Sequence, residues 1–144
     1  MGSLYDTDFH AWAAEQAALL RAGKFQASDI EHIAEEIESM GRTEKRELVN
    51  RLAVLLLHLL KWRYQPSLRG NSWRLTIKEQ RFRLESHLAD NPSLKAKLAD
   101  AMIEGYRLAL IEAERETGLD EATFPNACPW SYQSLMDSDF WPGA

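Results

Sequence analysis

Leu48-Val49-Asn50-Arg51-Leu52-Ala53-Val54-Leu55-Leu56-Leu57-His58-Leu59-Leu60-Lys61-Trp62 decides the fold. Leu48, Leu52, Leu55, Leu59 and Trp62 recur at helical spacing, and Val49, Ala53, Leu56 and Leu60 widen the stripe. A helix so broadly apolar must be covered on most sides, which places it at the centre of a helical domain. Pro66 stops it, because proline bars the helical conformation at Gln65 and brings no amide donor. Past Arg69-Gly70-Asn71 the chain resumes as a basic helix, Ser72-Trp73-Arg74-Leu75-Thr76-Ile77-Lys78-Glu79-Gln80-Arg81-Phe82-Arg83.

Two helices are expected before this stretch. The first runs from Asp6 or Thr7 to Ala22 and closes on Gly23, with Phe9, Trp12, Ala13, Leu19 and Leu20 on one stripe. The second has Ser28 as N-cap, an apolar face of Ile30, Ile33, Ala34, Ile37 and Met40, and Gly41 as its end. The central third helix then starts near Thr43. The fourth runs from Asn71 or Ser72 to about Asp90, and Asn91-Pro92 breaks it. The fifth spans Leu94 to about Thr117, with Gly105 inside its stripe predicting a close helix crossing. From Leu119 the periodicity is lost, and Ser131 to Asp137 reads as a short sixth helix. Phe124, Trp130, Tyr132, Phe140 and Trp141 predict that this arm wraps back over the bundle or covers a second subunit. The expected fold is therefore all-α: one domain over 1–144, a five- to six-helix bundle over about 6–117, and an irregular C-terminal arm over about 118–144.

Composition narrows the function classes. A chain of 144 residues buries enough surface to fold without disulfides or metals. Cys128 is its single cysteine and has no internal disulfide partner. The longest apolar run is far short of a membrane span, and no charged leader precedes it, so a cytoplasmic protein is expected. The net charge of −5 conceals an asymmetry. Residues 61–83 carry seven Lys and Arg against Glu79 alone, between acidic flanks. Such a centre either pairs internally or offers a patch to an anionic partner.

Several short motifs stand together: Tyr5-Asp6-Thr7-Asp8-Phe9 with Trp12, Glu35-Glu36-Ile37-Glu38-Ser39-Met40-Gly41, His58-Leu59-Leu60-Lys61-Trp62, Gln65-Pro66, Ser72-Trp73, Gln80-Arg81 and Phe124-Pro125 with Cys128-Pro129. In combination the chain resembles the family of the domain of unknown function 29 (DUF29). The resemblance implies an all-helical, mostly bacterial cytoplasmic protein, and it brings no activity, ligand or catalytic residue.

Helical projection puts polar side chains on or beside the apolar stripes. Gln16, Gln80 and Glu112 fall within them, and Glu36, His58 and His87 fall at their edges. Buried polar groups need partners, so these six either meet in one network or bond separately. Glu36, His58, His87 and Glu112 are the residue types that build a mononuclear metal site, or an acid–base pair, inside a bundle. No metal-spacing motif, nucleophile triad, phosphate loop or CxxC accompanies them, so no cofactor is expected. Cys128 reads as a packed structural residue.

Arg63, Arg69, Arg74, Lys78 and Arg81 form the candidate basic surface, and the loop from Tyr64 to Asn71 joins its two halves. With Trp62, Tyr64 and Trp73 interleaved, nucleic-acid binding is one reading. Against it, the tryptophans belong to core stripes, and Glu35, Glu36 and Glu38 offer internal partners for the cations. The preferred expectation is a non-catalytic protein-binding or regulatory module. It would contact protein partners, or form a homo-oligomer through its aromatic arm, and would not bind membranes.

Overall fold

The computed structural model describes residues 3–143. Six α-helices follow one another: α1 (Leu4–Thr7), α2 (Phe9–Arg21), α3 (Ile30–Tyr64), α4 (Asn71–Asp90), α5 (Leu98–Thr117) and α6 (Tyr132–Met136). Four short 3-10 turns connect them, at Phe25–Ala27, Pro66–Leu68, Pro92–Lys97 and Glu121–Thr123. No strand occurs among the described residues, and none of their helices is long and apolar enough to cross a membrane. The chain forms two compact units, 1–43 and 44–144.

The main departure from the sequence reading is α3. Its 35 residues fuse the predicted second and third helices. Gly41 keeps an ordinary helical backbone, so it costs only the roughly 1 kcal/mol of a helix-interior glycine. Thr43 does not cap a new helix. Its hydroxyl donates back to the Ser39 carbonyl at 2.9 Å, a bond made within a helix. The start of α3 is also shifted: Ser28 bonds backward to Phe25 O, while the Asp29 carboxylate receives the His32 amide at the helix entry. Asp6 and Thr7 sit in the one-turn α1, and Asp8 caps α2 by accepting from the Ala11 amide at 3.1 Å. Residues 94–97 are 3-10 turn, so α5 begins at Leu98. Gly23 and Gly118 occupy the left-handed conformation expected of helix-ending glycines.

In the second unit the apolar part of α3 is the core. Leu48, Leu52, Leu55, Leu56, Leu59 and Leu60 are fully buried, together with Ile77 and Leu84 of α4 and Ala101, Ala109 and Ala113 of α5. Each buried leucine contributes about 1.5–3 kcal/mol of hydrophobic stabilisation. Gly105 lies where a Cβ would come within 3.1 Å of Leu52 Cβ and 3.3 Å of the Val49 carbonyl oxygen, so α5 crosses α3 as closely as the glycine implied. The C-terminal arm takes the first of its two expected courses. Phe124 and Leu135 are buried, and Trp130, Tyr132, Phe140 and Trp141 pack against the same core.

Among the described residues of the first unit only Trp12 and Gln16 are buried. Burial there is too small for the apolar residues available, and many stay in solvent.

Candidate functional site

The first unit is organised around Asp29. One carboxylate oxygen receives the Trp12 indole N–H at 3.1 Å and His32 Nδ1 at 2.6 Å. The Asp29 amide donates to Gln16 Oε1 at 2.7 Å, which explains how a buried glutamine is tolerated on α2. Tyr5 stacks on the His32 ring at 3.9 Å and meets Trp12 edge-on at 4.8 Å. Its hydroxyl donates to the Glu36 carboxylate, and that bond raises the phenol to about 12. Asp29 holds the His32 imidazole above its ordinary value, and His32 in turn holds the Asp29 carboxyl below its own. These contacts fix the first turns of α3.

That network uses only one side of the helix. Next to it Ile30, Ile37 and Met40 are 54%, 58% and 61% exposed, with half-buried Ile33 between them. The spacing 30, 33, 37, 40 alternates by three and four residues, the pattern of a helix-pairing seam. At 100° per residue Glu36 borders the seam on one side, and on the other Ala34 comes first with Glu38, which also pairs with Arg42, beyond it. Between 29 and 38 there are five carboxylates and no Lys or Arg. The predicted apolar face is thus present as an exposed acidic-flanked stripe.

The six suspected interior residues are divided between the two units. Gln16 and Glu36 belong to the first unit and are bonded as described. In the second unit His58 Nδ1 donates to the Val54 carbonyl at 2.8 Å, one turn back on its own helix. Burial pushes the His58 imidazole below its ordinary value. Glu112 pairs with Arg115 near the surface of α5. Gln80 is half-buried with its Oε1 enclosed and without a hydrogen-bond partner among the described residues. His87 is buried and donates from Nε2 to the Glu44 carbonyl at 2.9 Å. No two of His58, Gln80, His87 and Glu112 share a hydrogen bond or ion pair among the described residues. Of the residues grouped as a metal or acid–base site, Glu36, His58, His87 and Glu112, the three in the second unit, His58, His87 and Glu112, each turn to a different local partner.

The chain's likeness to known proteins now has a geometry to attach to. The family model of the domain of unknown function DUF29 matches residues 4–141. The chain is a DUF29 protein. No curated protein and no solved structure matches it. In this DUF29 chain the family-like residues Tyr5, Trp12 and Glu36 belong to the cluster that fixes the start of α3.

The basic segment of the DUF29 chain is partly structural. Arg81 is buried, donates from Nε to Leu135 O at 2.6 Å and from a terminal nitrogen to Phe140 O at 2.7 Å, and lies over Trp141. Arg69 donates to Trp62 O at 2.7 Å and covers the Trp62 ring. Arg81 is consequently no surface residue, and Arg69 is only partly one, because the C-terminal arm needs both as clamps. Lys61 is also buried, beside Glu116 and the Trp73 ring. Trp62 packs on Trp141 rather than facing solvent. Arg63, Arg74 and Lys78 stay exposed, and Arg74 and Lys78 line a cleft of about 470 Å³ with Phe82, Glu85 and Trp141.

Cys128 is half-buried beside a second cavity of about 480 Å³, and its thiol donates to Trp130 O. Burial raises its pKa, which leaves it a poor nucleophile.

Proposed function

We propose that this DUF29 protein is a non-catalytic protein-binding module, and that its contact surface is the acidic-flanked stripe of α3. The partner is a protein segment that folds as a cationic amphipathic helix. Its apolar side chains lie along Ile30, Ile33, Ile37 and Met40, and its Lys or Arg residues face Glu36 and Glu38.

One observation carries this reading. Three large apolar side chains stand more than half exposed at helix-pairing spacing on a well-anchored helix. Scattered exposed hydrophobics need no explanation, but a periodic stripe rimmed by one sign of charge fits a complementary helix. The flexible Met40 suits a binding surface, since methionine adapts to the surface opposite it. The flanking carboxylates favour basic over acidic partners through their charge.

The test is an anisotropy titration with two labelled synthetic helices, one of Leu and Lys and one of Leu and Glu. Saturable binding of the Lys helix alone is expected, weakened at least tenfold in the double variant Ile37→Ser, Met40→Ser. Unfolding of that variant should match the wild type, because both residues are exposed. Equal binding of the two helices, or unchanged binding by the variant, removes the proposal.

A further inference from the structure

The buried His87 of α4 faces two carboxylates of α3. Its Nε2 contacts the backbone carbonyl of Glu44, an acceptor, so that nitrogen must carry the proton. In the neutral ring Nδ1 therefore presents a lone pair. This Nδ1 has no hydrogen bond among the described residues, and its polar neighbours are Glu44 Oε2 at 3.7 Å and Glu47 Oε2 at 3.8 Å. One donor atom from each of the three residues lies within 4.8 Å of the other two. A lone pair set against two carboxylates is unfavourable, and either a proton on Nδ1 or a cation among the three donors relieves it.

We propose that Glu44, Glu47 and His87 bind a divalent first-row transition cation. The donor separations suit it. They are too long for hydrogen bonds, whereas metal bonds of about 2.0–2.2 Å hold their donors roughly 3–4 Å apart. One imidazole nitrogen with two carboxylate oxygens is a donor set for Zn²⁺, Mn²⁺ or Co²⁺ rather than for a soft or an all-oxygen ion. The surroundings orient these donors. The Glu44 carbonyl fixes the His87 ring through Nε2–H. Arg51 grips Glu47 Oε1 with Nε at 3.0 Å and a terminal nitrogen at 2.6 Å, which leaves Oε2 turned toward His87. Arg83 is the further cation near Glu47, and it is engaged with Glu79. Both glutamates are partly open to solvent, so an ion has an entry path, and three protein donors leave positions for water.

The experiment is isothermal titration of the full chain, carrying no affinity tag, with Zn²⁺ alone. One saturable site per chain is expected, together with a rise in the unfolding temperature. Glu44→Gln, Glu47→Gln and His87→Gln should each weaken binding at least tenfold, while His58→Gln leaves it unchanged. His87 is buried, so circular dichroism must show that its variant is folded. Glu44→Gln alters a partly exposed side chain and decides the matter if His87→Gln unfolds. Absence of saturable binding by the wild type overturns the proposal. So does wild-type affinity in Glu44→Gln and Glu47→Gln, which would place the ion elsewhere.

Discussion

Arg81 donates from Nε to the carbonyl oxygen of Leu135 at 2.6 Å, joining α4 to a residue 54 positions further along the chain. A second guanidinium nitrogen reaches Phe140 O, and the flat face covers Trp141. The arm therefore depends on a cation in the core as well as on its own aromatics. Arg81→Met would leave two carbonyls without a donor. Hydrogen bonds to a charged group contribute about 1.5–3 kcal/mol each and are not additive, so a loss of about 3 kcal/mol is expected. Denaturant unfolding followed by near-ultraviolet circular dichroism of the arm tryptophans measures it. Arg81→Lys should fall in between, since an ammonium lacks the fork that spans both acceptors.

Arg69 and Arg63 separate structural from surface cations. Arg69→Glu removes the bond to Trp62 O and the contact over its ring, and should cost about 2 kcal/mol. Arg63→Glu changes an exposed side chain and should stay within about 0.5 kcal/mol of wild type. Thermal melts of the two variants side by side give the comparison. From the sequence both arginines belonged to one basic surface.

Gly105→Ala tests the crossing of α5 on α3. Alanine gains roughly 1 kcal/mol in helix propensity, but its Cβ would press on Leu52 and on the Val49 carbonyl. Leu52 is fully buried and the carbonyl belongs to helix backbone, so neither yields cheaply. A net loss of about 1–2 kcal/mol is expected in urea unfolding.

The two half-buried histidines should titrate in opposite senses. Asp29 raises His32 above its ordinary 6.5, so its stabilisation is complete below that pH and is lost as pH rises through the raised value. Burial lowers His58, so its contribution is present above 6.5 and lost as pH falls through the lowered value. Asp29 adds an acid limit in the first unit, because its lowered carboxyl stabilises above 3.8 and ceases to as pH falls further. Imidazole proton resonances followed by NMR against pH should show His58 titrating before His32 as pH is raised from acid. The reverse order would contradict both assignments.

The all-helical fold and the central place of Leu48–Trp62 were legible because a stripe that broad leaves few alternatives. The Gly105 crossing and the end at Pro66 were legible from backbone chemistry. The fusion at Gly41 was not, because a glycine signals a helix end only when its conformation is left-handed, and a sequence does not show φ. The polar residues failed differently. Helical projection placed Gln16 within an apolar stripe and His87 at the edge of one, but it carries no information on which local partner each would find. Glu44 and Glu47 were passed over for the same reason: each looks like one more surface carboxylate until α4 brings His87 beside it. The stripe of α3 was legible as an apolar face but not as an exposed one, since periodicity identifies an apolar face without saying whether this chain covers it.

Site-specific photo-crosslinking at the stripe addresses the proposed binding role most directly. A benzophenone side chain replaces Ile37 in cells that express the chain, and in a parallel strain it replaces Leu108, an exposed apolar residue of the second unit. The expected result is one defined protein adduct from position 37, whose crosslinked peptide has apolar residues at helical spacing flanked by Lys or Arg. No adduct above that obtained from position 108, or an adduct through an acidic peptide, would contradict it.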